Sequence, residues 1–241
     1  MAGQLRILSR SSEPFRDREE AGRFLAKELS DYRGKKAVVL GIPRGGVVAA
    51  SKLAVALDAE LDIVLARKLR TPGYEELAMG SVAEDGKVFL NEEVVQQMAV
   101  SEVQIQNKKD VQLAEIKRRI ELIRHIRPKV ELKGRIVIVS DDGVATGATI
   151  QAAFWAVRME QPSKLIAAIP VGPEDTIIRL AKDVDEMLCL RTPALFAAVG
   201  QFYQWFHSVE DDEVLEILGE EAKMKHPIES SQTKGRNKVG K

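Results

Sequence analysis

"RIVIVSDDGVATGATI", residues 135–150, sets an apolar run, two adjacent carboxylates and a cluster of small, hydroxylated residues in immediate succession. The run reads as a buried strand, and the residues from about Ala148 to Met159 read as a helix. A loop that leaves a strand and enters a helix presents backbone N–H groups without helical partners, and the helix dipole adds partial positive charge. Thr146 and Thr149 can donate hydroxyl hydrogen bonds, and Gly147 lets the backbone approach a ligand closely. Residues Ala145, Thr146, Gly147, Ala148 and Thr149 therefore make a phosphate cradle. It is not a P-loop, because Ala148 stands where a lysine is needed, and the G-x-G-x-x-G spacing of dinucleotide sites is absent. Asp141 and Asp142 would repel a bare phosphate. They suit a ligand that carries hydroxyls or a metal a few ångströms from its phosphate, as a ribose 5-phosphate does. A lone Asp-Asp-Gly would read as an ordinary turn and helix cap; the full pattern after an apolar strand favours a site.

The same reading extends outward. "KKAVVLGIPRGG" is a short β-rich run ending in a glycine turn, and "VVAASKLAVALDA" after it is helical. Leu61–Ala66, 164–172 and "EMLCL" are further buried strands, with "EDTIIRLAKDV" a helix between the last two. Residues 13–29 read as an amphipathic helix with Phe15, Ala21, Phe24, Leu25 and Leu29 near one face. Residues 67–90 are rich in turn formers and polar groups and are expected to contain a long loop, while "MGSVAEDGKVFLN" carries a hairpin signal, Asp85-Gly86 between two apolar runs. Residues 91–127 are helical in pattern, with a capping box at Ser101 and Gln104 and an apolar stripe of Leu113, Ile116, Ile120 and Ile123. Strands made of Val, Ile, Leu and Ala runs, alternating with helices, predict an α/β domain whose mostly parallel sheet is covered on both faces. Ligands of such sheets bind at the carboxyl ends of the strands, where both glycine-containing loops fall.

"GIPRGG", residues 41–46, offers Arg44 as a fixed cation able to grip two phosphate oxygens, while Gly45 and Gly46 allow N–H groups to face a ligand. Arg67 and Lys68 follow the second strand. Taken together, the strand, acidic pair and "ATGAT" loop resemble the ribose-phosphate motif of the type I phosphoribosyltransferases. "PRGG", "RK…PG…EELAMGSVAEDG" and the late Pro193, Phe196, Ala198-Val199-Gly200, Tyr203, Phe206 pattern resemble a subgroup of that family over residues 36 to about 210. The resemblance implies a central sheet flanked by helices, with a helical insertion and a small C-terminal hood. It implies 5-phosphoribosyl 1-pyrophosphate (PRPP) and Mg²⁺ as ligands, and transfer of the phosphoribosyl group to a nitrogen acceptor such as a nucleobase, with pyrophosphate released. Asp141 and Asp142 would then hold the ribose hydroxyls, directly or through the metal. Arg44, Gly45 and Gly46 would hold the pyrophosphate, and Arg67 and Lys68 would close over it on a mobile loop. Phe196 and Tyr203 are candidates for the acceptor pocket. Ala145 occupies a position where some purine-salvage members carry an aspartate, so help for the acceptor must come from elsewhere. A different class, a PRPP-sensing regulator without catalysis, fits the same motifs. A hydrolase built on the aspartate pair fits less well, for no general acid stands at a fixed spacing.

The totals bound these readings. The 241 residues carry 36 basic and 36 acidic side chains, a neutral balance that argues against a general nucleic-acid or membrane role. The basic excess from Lys108 to Arg135 is interrupted by glutamates and lacks aromatics, which reads as the solvated face of an amphipathic helix whose apolar stripe packs on the domain or on a second copy in a homodimer. No apolar run approaches the roughly 20 residues that span a bilayer. Cys189 is the sole cysteine, and a reducing cytoplasm is the expected compartment. His125, His207 and His226 lack ligand-like spacing. A single domain over 1–218 and a disordered polar tail over 219–241 are expected.

Overall fold

The strands that the apolar runs predict do form, and they lie side by side. The computed structural model describes residues 4–225. In chain order the elements are β1 (Gln4–Ser9), α1 (Arg18–Glu28), β2 (Val38–Gly41), α2 (Gly45–Leu57), β3 (Glu60–Ile63), β4 (Ala66–Thr71), β5 (Tyr74–Ala83), β6 (Val88–Leu90), α3 (Glu92–Gln97), α4 (Glu102–Ile126), β7 (Ile136–Ser140), α5 (Ala148–Met159), β8 (Lys164–Val171), α6 (Glu174–Leu180), β9 (Glu186–Arg191) and α7 (Asp211–Lys225). Six strands make one parallel sheet in the order β1-β9-β8-β7-β2-β3. Successive side chains of a strand point to opposite faces. Accordingly Val38, Leu40, Val137 and Val139 join a core under α5, whereas Val39, Ile138 and Ile166 join a second core under α1 and α2. Burial on both faces is why these strands read as unbroken apolar runs.

From β2 the chain moves outward to β3, and from β7 it moves the other way to β8 and β9. The sheet order thus reverses between the adjacent strands β2 and β7, which is the switch point where open α/β sheets bind ligands.

Three expectations change. The long loop expected within residues 67–90 does not form: β4, β5 and β6 make a three-stranded antiparallel sheet. Arg67 and Lys68 therefore stand on a strand, paired opposite Val82 and Ser81. The turn formers Pro72 and Gly73 make only the tight connection between β4 and β5, with Gly73 at φ 79°, while Asp85-Gly86 joins β5 to β6 as expected. The helix expected over 13–29 starts at Arg18, because Asp17 caps it by accepting the Glu20 N–H. Phe15 lies before that helix and is buried by pairing with Tyr203, whereas Phe24 is 42% exposed. Strand β1 had no clear sequence signal: it is a half-exposed edge strand beside β9. Finally, α7 carries helical structure through Lys225, so residues 219–225 are not part of a structureless tail; the rest of that tail lies outside the described residues. Residues 91–127 are helical as expected, but as the short α3 followed by α4, whose start is the predicted capping box.

One polar cluster ties the edge of the sheet together. The Glu186 carboxylate on β9 accepts from the Tyr32 hydroxyl at 2.5 Å and from Lys164 Nζ on β8 at 2.8 Å. Burial alone would raise its carboxyl, but the bonds from Lys164 and Tyr32 outweigh that and hold it below the ordinary value. A depressed folded-state pKa gives stability that is present above the unfolded value of about 4.3 and lost as pH falls through the folded one. Glu186→Gln is expected to cost roughly 1–2 kcal/mol at pH 7, and the gap from wild type should narrow at about pH 3.5. Urea unfolding at the two pH values measures it.

Candidate active site at the switch point

β2 ends at Gly41 and β7 at Ser140, directly paired, and the Ile42 N–H donates to the Ser140 carbonyl at 3.0 Å. The "PRGG" loop and the acidic pair therefore leave the sheet side by side. The Pro43–Arg44 peptide is cis, and α2 begins at once with Gly45. A Cβ on Gly46 would lie 2.7 Å from Asp141 Oδ1 and 2.8 Å from its Cα, and a Cβ on Gly45 would overlap Asp142 Oδ2 outright. The glycines are required because the carboxylates pack against their backbone, a reason that sequence alone did not reveal.

The two aspartates differ in their partners. The Asp142 N–H donates to Asp141 Oδ1 at 2.8 Å, and among the described residues Asp141 forms no ion pair. Burial, and then the neighbouring Asp142 carboxylate, push the Asp141 carboxyl well above the ordinary range. Asp142 instead receives Arg18 Nε at 2.7 Å, and its own carbonyl accepts from the Tyr203 hydroxyl. Arg18 is 5% exposed; its guanidinium stacks 3.8 Å from the Phe206 ring centroid and donates to the His207 carbonyl. Sequence reasoning passed over Arg18, since it stands among charged residues in the first turn of a surface-patterned helix and nothing local marks it as buried. Tyr203, a candidate for the acceptor pocket, is buried, and burial followed by Asp142 holds its hydroxyl protonated well above the usual value. It braces the acidic pair from below. Phe196 is half-buried against Phe202, with ring centroids 5.1 Å apart.

Gly147, at φ 78°, opens α5. Ala145, Thr146 and Thr149 are exposed around it, and the first N–H groups of the helix have no intrahelical acceptors. The loop is braced from behind by α6: Thr176 Oγ1 donates to the Ala145 carbonyl at 3.1 Å, and Arg179 Nη2 to the Thr146 carbonyl at 2.5 Å. The Ala145 and Thr146 carbonyls are thus occupied by α6.

Ile42, Pro43, Leu65, Arg67 and Thr149 line one cleft together with Glu115 and Arg119 of α4. The structure thereby brings Pro43 of the "PRGG" loop, Arg67 of the basic strand and Thr149 of the 145–149 segment to one place. Lys68 is half-buried on β4 and is not among the residues of that cleft. Arg44 lines an adjoining recess with Arg18, Gly45 and Phe206, and its guanidinium is 2.7 Å from Glu210. Arg67 is 3.4 Å from Glu115. Cys189 is buried on β9, where burial pushes its thiol up to about 12, so it offers no nucleophile at neutral pH. Among the described residues no cluster of three or more His, Cys, Asp or Glu side chains could hold a metal, and no helix is long and apolar enough to cross a membrane.

A parallel sheet with an acidic pair and a glycine-opened helix N-terminus at its switch point defines an α/β domain with a candidate ligand site there. Residues 15–203 match the family model of the phosphoribosyl transferase domain. Two Mycobacterium tuberculosis proteins, from strains CDC 1551 and H37Rv and provisionally named phosphoribosyl transferases, are each 45% identical over 204 residues, 85% of this chain. The chain spans about half the length of these relatives, 46% of each. The crystal structure of TT1426 from Thermus thermophilus superposes with a TM-score of 0.82 at 40% identity, covering 86% of this chain and 98% of that one. The chain belongs to the phosphoribosyl transferase family.

Removing Arg18 would leave Asp142 as a partly buried, uncompensated charge. Arg18→Ala is expected to destabilise the fold by roughly 3 kcal/mol, since breaking one side of a buried pair costs more than removing both. The double variant Arg18→Ala/Asp142→Asn should recover at least half of that loss in chemical denaturation.

Proposed function

We propose that the protein is a magnesium-dependent phosphoribosyltransferase that binds PRPP and transfers its phosphoribosyl group to a ring nitrogen of a nucleobase. The observation that carries this reading is the juxtaposition at one switch point of a braced N–H loop, an acidic pair and a cleft holding Arg67. The loop 145–149 anchors the 5-phosphate, so binding energy remote from the reacting carbon positions it. The acidic pair beside it takes the ribose 2- and 3-hydroxyls. Asp141 is the better placed of the two, because Asp142 is already engaged by Arg18.

Magnesium fits this donor set. Asp141 is a hard oxygen donor that forms no ion pair among the described residues, and burial, followed by the Asp142 carboxylate, raises its pKa. Two aspartates alone are too few to coordinate the ion, so ribose, pyrophosphate or water oxygens complete its shell. When bound, Mg²⁺ supplies charge neutralisation at the pyrophosphate leaving group. In the reaction the C1–O bond to pyrophosphate breaks as the acceptor nitrogen bonds to C1. Positive charge develops on the ribose and negative charge on the pyrophosphate. Arg44 and Arg67 lie where that negative charge grows. Each is paired in the free chain with an exposed glutamate, Glu210 and Glu115, and such pairs are weak enough to exchange for a phosphate. Phe206, stacked on Arg18 beside the acidic pair, offers the acceptor an aromatic wall.

The test is pyrophosphate release from PRPP with Mg²⁺ across a panel of nucleobases. Turnover is expected with at least one base, and Asp141→Asn should lower kcat/KM by about 100-fold or more. Arg44→Ala should lower it by about tenfold or more. Tight PRPP binding with no turnover on any base would favour a sensor and overturn the enzyme.

A further inference from the structure

Residues 91–127 read from sequence as packing and solvated surface. In the structure α4 instead reaches the candidate site. We propose that Arg119 of α4 forms, with Arg67, a two-arginine subsite for the pyrophosphate group, and that Glu115 occupies this place in the free chain. The proposal rests on the reading of the ligand as PRPP.

Three observations carry it. First, Arg119 lines the same cleft as Pro43, Arg67 and Thr149, the cleft where the "PRGG" loop, the basic strand and the phosphate loop meet. Second, Arg119 is half-buried, yet it forms no ion pair or hydrogen bond among the described residues. Other arginines withdrawn from solvent in this chain are paired: Arg18 with Asp142, Arg124 with Asp62 and Glu84, and Arg127 with Glu221. A guanidinium that gives up solvent without gaining an anion is in deficit, and its planar fork suits phosphoryl oxygens. Third, Glu115 lies one helical turn before Arg119, the spacing at which the two would ordinarily pair. It bonds across the cleft to Arg67 instead, at 3.4 Å. One carboxylate thus serves one of the two arginines that line this cleft. Pyrophosphate carries several negative charges and can answer both. Because the Arg67–Glu115 pair is about half exposed, it exchanges readily.

The experiment uses calorimetric titration of the full chain, in the presence of Mg²⁺ and at fixed ionic strength, with inorganic pyrophosphate and ribose 5-phosphate as separate probes. Arg119→Ala should weaken pyrophosphate about tenfold or more, while ribose 5-phosphate changes by less than about twofold. Arg119→Lys should recover part of the loss, as a point charge without the planar fork. Glu115→Gln should tighten pyrophosphate by about two- to fivefold, more at low salt. Pyrophosphate affinity unchanged by Arg119→Ala would overturn the proposal, as would an equal loss for both probes, which marks a structural role. If the chain binds pyrophosphate through Arg119 but never binds ribose 5-phosphate, the subsite stands and the PRPP reading falls. If wild type binds neither probe, both fall.

Discussion

Contact between the backbone of Gly45-Gly46 and the carboxylates of Asp141-Asp142 is the constraint on which the candidate site depends. With a Cβ at Gly46 only 2.7 Å from a carboxylate oxygen, no other residue fits without moving the acidic pair. This closeness follows from the sheet. β2 and β7 are neighbours in register, so their loops must cross the same small volume on leaving it. The parallel topology sets the distance, and glycine makes that distance tolerable. Arg18 and Tyr203, which reach Asp142 from opposite ends of the chain, hold the pair further.

Charge in this region is arranged in opposed halves. Carboxylates gather at the end of β7, while arginines gather at the "PRGG" loop and along β4 and α4. In the free chain each half is only partly answered. Arg44 and Arg67 borrow exposed glutamates, and Asp141 has no cation partner among the described residues. Under the proposed reading, a ligand with hydroxyls at one end and phosphates at the other would meet complementary groups without requiring any buried pair to break. The buried pair, Arg18 with Asp142, stays intact, which suits a structural member of the site.

The antiparallel β4–β6 sheet that carries Arg67 is fastened to the body by ionic contacts. Arg124, near the end of α4, bonds Glu84 at the β5–β6 turn and Asp62 on β3. Burial would lower its pKa, but the two carboxylates outweigh that and keep it charged. Lys129 adds a contact to Glu84 and one to Glu160. The base of the sheet is therefore anchored through Glu84 and Arg124, while Arg67 on β4 rests on a weaker, half-exposed pair. Such a division lets the cleft face adjust to a ligand while the sheet keeps its place.

Much of this was legible in the residues themselves. The parallel sheet was visible because strands buried on both faces must be apolar throughout. The strand-to-helix turn at 141–149 was visible because an acidic pair and small residues follow an apolar strand there. The β4–β6 sheet was not, because a half-solvated antiparallel sheet mixes polar and apolar residues and its tight turns look like loop. Arg18, Arg119 and the bracing role of Tyr203 were also hidden. Arg18 and Tyr203 act through Asp142, far along the chain, and Arg119 faces Arg67 only across a cleft; no local periodicity records such meetings. Residue identities alone settle the main strands, their order of appearance and the turn with its acidic pair at the end of β7, since these follow from local burial and backbone need. Which aspartate is left open, which arginines stand beside it and why the glycines must be glycines are settled only by folding, because they depend on distances between segments that chain order does not encode.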